Sequence, residues 1–211
     1  NWREPFVRAL LKQRAASRGA SGLLSSNIDL YPHQVEVIRR VLEDPVQRYL
    51  LADEVGLGKT VEAGVVIRQF LIDHAGGDVR VFAPSVLCQQ WEQELDEKFD
   101  VGALEGTVRI DPLEGIERET AQKAPDLLVI DEAHKIAEWA FSDDRADAFA
   151  RLASWAHEAE RLLLLSATPA HRHEKEFLAM LHLLDPAMYS LDDREAFRER
   201  IENRARVGGA L

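Results

Sequence analysis

The chain has 211 residues, 46% hydrophobic and 30% charged, with a formal net charge of −11. Such a chain can bury a real core in one large globular domain, and no apolar run approaches the roughly 20 residues that cross a membrane. The acidic balance argues against a surface coated in nucleic acid but leaves room for a local basic groove.

The lone Cys88 excludes an internal disulfide, suits a reducing cytoplasm and is read as a small buried hydrophobe. The start at Asn1-Trp2-Arg3-Glu4-Pro5 lacks the charged start and apolar block of a leader. That start and the ending Val207-Gly208-Gly209-Ala210-Leu211 both read as cuts in a longer polypeptide.

In chain order, Pro5 to about Arg18 is predicted as a helix with Phe6, Val7, Leu10 and Leu11 on one side, followed by a Gly/Ser connector over Gly19–Asn27. A second helix begins at Pro32, whose missing N–H costs nothing there. It turns Val35, Ile38, Val41 and Leu42 inward and ends near Asp44-Pro45. Strand and helix then alternate: a strand over Arg48–Ala52, a helix over Lys59–His74 and a strand over Val79–Ala83. A helix follows from Ser85, read as its N-cap, to about Lys98, with Leu87, Trp91 and Leu95 in an i, i+4, i+8 core stripe. Next come a strand over Thr107–Ile110, a short helix over Ile116–Lys123 and a strand over Leu127–Ile130. The last expected elements are a helix over Arg145–Glu160, a strand over Arg161–Leu165 and a helix over Glu174–Leu184 that faces Phe177, Leu178, Leu181 and Leu184 to the core. Continuously apolar strands separated by helices imply an α/β domain with a mainly parallel central sheet and helices on both faces. Ligands of such sheets bind at the carboxyl ends of the strands.

Three polar motifs stand at such ends. In Asp53-Glu54-Val55-Gly56-Leu57-Gly58-Lys59-Thr60, a glycine turn lets backbone N–H groups wrap a phosphate chain at a helix N-terminus. Lys59 then reaches the terminal phosphates, and the Thr60 hydroxyl holds magnesium. Asp53 occupies the first glycine position of the usual pattern. Asp131-Glu132-Ala133-His134 follows an apolar strand, so Asp131 can hold magnesium through water and Glu132 can orient the attacking water. His134 can switch between this site and Ser166-Ala167-Thr168-Pro169, or simply be a hydrogen-bonded histidine. Gln34 carries an amide able to read an adenine edge, although as a lone residue it reads as a surface glutamine. His171-Arg172-His173 reads as a polar loop rather than a metal site.

Tyr31-Pro32-His33-Gln34, the Asp53–Thr60 loop, Ala83-Pro84-Ser85 with Gln90-Trp91, Asp131–His134 and Ser166–Pro169 occur in the order of superfamily-two helicase motifs. The pattern resembles the Swi/Snf-type branch, in which Asp53 is the usual residue at its position. The continuation Val61-Glu62-Ala63-Gly64 resembles the bacterial HepA/RapA-like members. The resemblance covers about residues 28–190. It implies a RecA-like P-loop NTPase fold and a first RecA-like lobe, with residues 1–27 as an N-terminal helix and connector and residues 191–211 as a helical extension toward a second lobe.

The resemblance also implies roles. Gln34 reads adenine; Gly56, Gly58, Lys59 and Thr60 bind ATP and magnesium; Asp131 and Glu132 support hydrolysis. Pro84 and Ser85 lie against a nucleic-acid backbone, and His134, Ser166 and Thr168 couple nucleotide state to DNA contact. The partners implied are double-stranded DNA, a second RecA-like lobe of the same polypeptide supplying arginines, and a protein complex, with no membrane. Asp111-Pro112-Leu113 is a weak second DNA-contact segment. The function implied is an ATP-dependent duplex-DNA translocase lobe, nearly inactive alone and cytoplasmic. A nucleotide-dependent protein-interaction module and an RNA helicase lobe are the alternatives.

Overall fold

The computed structural model describes residues 30–52, 58–118, 123–167, 174–195 and 197–199. The expected N-terminal helix and connector, the loop residues 53–57 with Gly56, Thr168, the 171–173 loop and positions 200–211 lie outside them. Described in chain order are α1 (Pro32–Glu43), β1 (Arg48–Leu51), α2 (Lys59–Asp73), β2 (Gly77–Ala83), α3 (Ser85–Glu97), β3 (Gly106–Pro112), β4 (Leu127–Ile130), α4 (Ala133–Trp139), α5 (Ala146–Glu158), β5 (Arg161–Leu165) and α6 (Glu174–Leu184). Short 3₁₀ turns stand at Val101–Ala103 and Leu113–Arg118.

The five strands form one parallel sheet in the order β1-β5-β4-β2-β3. Strand periodicity splits the core in two. Leu127 and Val129 of β4, with Leu163 and Leu165 of β5, pack under α1, α2 and α3. Leu128, Ile130, Leu162 and Leu164 pack on the other side with α4, α5 and α6. Every residue of β4 is buried, which is why its run is apolar without alternation. Mixed α/β architecture with a parallel, doubly covered sheet is thus established. Among the described residues no helix is long and apolar enough to cross a membrane.

The local differences from expectation have physical causes. Of the helix expected over Ile116–Lys123, residues 119–122 lie outside the described residues; Leu113–Arg118 makes a 3₁₀ turn, whose three-residue period puts Leu113 and Ile116 together in the core. Helix α4, unforeseen in the sequence, has only seven residues and starts from a left-handed Glu132. Ser85 is the first helical residue rather than the N-cap: extended Pro84 takes that place, and its carbonyl accepts the Leu87 N–H at 2.8 Å. In α6 the fully buried residues are Leu178, Ala179, Met180 and Leu183, while Phe177, Leu181 and Leu184 are half-buried. Phe177 turns partly away from the sheet, its ring 6.1 Å from that of Phe197. In α1, Val35 and Leu42 are half-buried beside buried Gln34, Ile38 and Val41.

Gly64 illustrates how tightly the α2 layer packs. A Cβ there would lie 2.3 Å from Cε2 of the fully buried Phe99 ring. The glycine of the Glu62-Ala63-Gly64 continuation therefore has a packing cause of its own.

Candidate nucleotide site at the carboxyl edge of the sheet

Strand register brings the polar segments to one edge. Leu51 pairs with Leu165, Leu164 with Ile130, and Ile130 with Phe82. The residues that follow these strands accordingly emerge side by side. Asp131 N–H donates to Phe82 O at 2.8 Å, and Ser166 N–H to Leu51 O at 3.0 Å.

Lys59 and Thr60 are the first two residues of α2, where the first-turn backbone N–H groups and the dipole favour anions. Gly58 precedes them at φ +90°, a left-handed backbone that favours glycine. A Cβ on Gly58 would stand 2.1 Å from Gln34 Nε2, so the Gln34 amide lies directly against the phosphate-loop backbone. Gln34 is 4% exposed, contrary to the surface position its residue type alone suggested, and its Oε1 accepts the Tyr31 N–H at 3.0 Å. That bond turns Nε2 toward Gly58 and fixes the amide's orientation.

Asp131 is buried, and both carboxylate oxygens are engaged. Oδ2 accepts the indole N–H of Trp91 at 2.9 Å, and Oδ1 accepts the N–H of Glu132 at 2.8 Å. Burial raises its carboxyl above the usual aspartate range, against the opposing pull of the Trp91 and Glu132 N–H groups and the Lys59 charge. A buried carboxylate of this kind is suited to a divalent cation whose charge offsets the lost hydration. Its oxygens and the Thr60 hydroxyl are hard donors of the type that magnesium takes. The residues present therefore fit ATP with magnesium.

Glu132 adopts φ +49°, ψ 45°, a left-handed conformation costing about 1–3 kcal/mol for a non-glycine residue and typical of functional sites. Its Oε2 lies 3.3 Å from His134 Nδ1, and the same nitrogen is 3.3 Å from Ser166 Oγ. Glu132, His134 and Ser166 thus form one chain of polar contacts from β4 to β5, with Ser166 only 1% exposed. His134 meets both neighbours through the one nitrogen, Nδ1.

The segment expected to face nucleic acid is built differently. Pro84 is buried and Ser85 exposed, with Val86 83% exposed beside it. The Ser85 N–H at the α3 N-terminus donates to Glu114 Oε2 at 3.2 Å. Cys88 is half-buried rather than buried as expected, and its thiol is pushed up by burial and then by Glu114, Glu92 and Asp111. Asp111 is tied to the buried Arg80 at 2.7 Å and Leu113 is in the core, so of that trio Pro112 alone is exposed. Sequence reasoning placed Trp91 in the core but missed its bond to Asp131. The available signal was the indole N–H itself, which needs an acceptor when buried.

Residues 108–177 match the DEAD/DEAH box helicase family. The chain is 34% identical to an uncharacterized ATP-dependent helicase, YqhH, of Bacillus subtilis (strain 168), over 74% of this chain and 29% of that protein. It is also 34% identical to the RNA polymerase-associated protein RapA of Pseudomonas aeruginosa (strain LESB58), over 90% of this chain and 22% of that protein. The chain is a helicase-like ATPase domain. This domain spans under a third of either relative's length. Its fold is that of the Sulfolobus solfataricus SWI2/SNF2 ATPase core solved in complex with dsDNA, with a TM-score of 0.68 at 17% identity over 81% of this chain and 39% of that one.

Proposed function

We propose that this domain binds ATP with magnesium at the carboxyl edge of its sheet and, within a longer polypeptide, powers movement along duplex DNA. The observation that carries the reading is the convergence of the α2 N-terminus, buried Asp131 and the Glu132–His134–Ser166 chain on one edge. Gln34 holds the adenine edge through its oriented amide. Gly56, Gly58 and Lys59 cradle the phosphates, with Thr60 and Asp131 as the magnesium-side oxygens. Magnesium, when bound, neutralises the charge that develops on the transferred phosphoryl group. Glu132 orients and polarises the attacking water. His134, Ser166 and Thr168 carry the nucleotide state across to the segment around Pro84 and Ser85, where nucleic-acid phosphate docks.

In this reading a second RecA-like lobe supplies arginines, which are worth roughly 10³–10⁵ in rate in phosphoryl transfer. The domain alone should therefore hydrolyse ATP very slowly. The net charge of −11 and likeness to a protein named for its association with RNA polymerase favour a protein partner as well. The test is ATP hydrolysis by the full-length polypeptide with duplex DNA, single-stranded RNA or neither. Duplex DNA should stimulate most, and Lys59→Ala should abolish turnover. A stronger response to RNA would make it an RNA motor, and no response to either would favour the protein-interaction module.

A further inference from the structure

The Leu87–Trp91–Leu95 stripe accounts for an apolar side chain at position 91 but not for a hydrogen-bond donor. Trp91 is 1% exposed, and its N–H reaches Asp131 across the interface between α3 and β4. Asp131 is also held through its backbone N–H by the Phe82 carbonyl, two residues before Pro84. The stretch leading into and along α3 therefore grips Asp131 twice, once by a strand carbonyl and once by an indole. A helix rises 1.5 Å per residue, so the indole stands about 9 Å along the axis from Ser85. The indole has two rotatable side-chain bonds and no free space, so a shift of α3 is delivered to the carboxylate as a change in one hydrogen bond.

We propose that Trp91 is a positioning residue: its indole N–H fixes the Asp131 carboxylate toward the magnesium side and ties it to the helix whose N-terminus faces nucleic acid. The inference rests on the ATPase reading above. With the N–H removed, Asp131 Oδ2 loses its donor and the carboxylate turns more freely. Magnesium is then held less well, although every group that touches the nucleotide is intact. Groups that orient metal-supporting ligands typically contribute 10–100-fold in metal affinity.

The test is magnesium binding by the nucleotide-bound full-length polypeptide, read by titration calorimetry, together with the magnesium dependence of its ATP hydrolysis with and without duplex DNA. The wild type is compared with Trp91→Phe and with Trp91→benzothienylalanine, which keeps the bicyclic shape and replaces only the N–H by sulfur. Both variants should bind magnesium about 10-fold more weakly and need correspondingly more of it for half-maximal rate, while kcat at saturating magnesium stays near wild type. An unchanged magnesium requirement in the benzothienylalanine protein overturns the proposal, even if Trp91→Phe fails to fold. Failure of the ATPase reading looks different: the wild type itself turns over no ATP, or Lys59→Ala is as active as the wild type.

Discussion

The two edges of the same sheet are built to opposite rules. At the carboxyl edge α2, α3 and α4 begin, at Lys59, Ser85 and Ala133, so their first-turn N–H groups and positive dipole ends gather there. Its polar residues include Lys59, Asp131, Glu132, His134 and Ser166, and the backbone is left-handed at Gly58 and Glu132. At the amino edge helices end, and cations close off their carbonyls. Arg48 donates to Ala156 and Ala159 at the end of α5 (2.7 and 2.9 Å), and to Leu183 and Leu184 at the end of α6 (3.0 and 2.9 Å). Arg161 lies 3.3 Å from the ring of His74, the residue that ends α2, and its guanidinium stands over Phe70. A parallel topology thus sorts the helix ends by edge: one edge gathers helix N-termini, where the proposed phosphate and cation sit, while at the other Arg48 closes helix-end carbonyls and serves stability.

The sharpest way to break this division is a pair of substitutions. Glu132→Gln should cut turnover by about 10²–10⁴-fold while leaving the denaturation midpoint near wild type, since on the proposed reading it removes the group that activates water and keeps a side chain of the same shape. Arg48→Ala should do the reverse. Losing four charge-assisted bonds to helix-end carbonyls should cost about 3 kcal/mol of stability, read as an earlier urea midpoint, with kcat and KM of the folded protein unchanged. Should Arg48→Ala lower turnover as deeply under folding conditions, the amino edge would be part of the machinery and the division would fail.

A smaller effect tests the layer between the edges. In an exposed helix, exchanging glycine for alanine stabilises by up to about 1 kcal/mol. At position 64 the sign should reverse, because the new Cβ meets the Phe99 ring at 2.3 Å. Gly64→Ala should destabilise by about 1–3 kcal/mol, the usual cost of overpacking a filled core. Thermal melting checks it, and Phe99→Leu in the same background should restore part of the loss.

How much of this was legible in the sequence also divides by edge. Strands β4 and β5 and helix α6 have the boundaries their apolar runs and flanking residues dictated. The carboxyl-edge motifs were visible because phosphate loops and strand-end carboxylates require fixed residue types at fixed spacing. The amino-edge arginines were not, since Arg48 works through backbone carbonyls more than 100 positions away, and carbonyls leave no mark on residue type. Trp91 and Gln34 fell between these cases. Each carries a polar group on a side chain whose burial only the assembled fold decides.

The mildest probe sits where α1 ends and β1 begins, on the amino edge. The Tyr49 hydroxyl donates to Asp44 Oδ2 at 2.5 Å. Burial first, and then this bond to a carboxylate, push its phenol up to about 12, against about 10 in an unfolded chain. Because the folded value is the higher one, the fold favours the neutral phenol. This contribution is complete below pH 10 and is lost as pH rises from 10 through about 12. Phenolate absorbance should therefore show one tyrosine titrating near 12 in the wild type, absent in Tyr49→Phe. Denaturation midpoints of the two proteins should converge over the same alkaline window, while their ATP turnover at neutral pH is the same. If the late-titrating phenol survives in Tyr49→Phe, the Asp44 contact does not hold β1 to α1. If turnover falls with it, the amino edge reaches the nucleotide site after all.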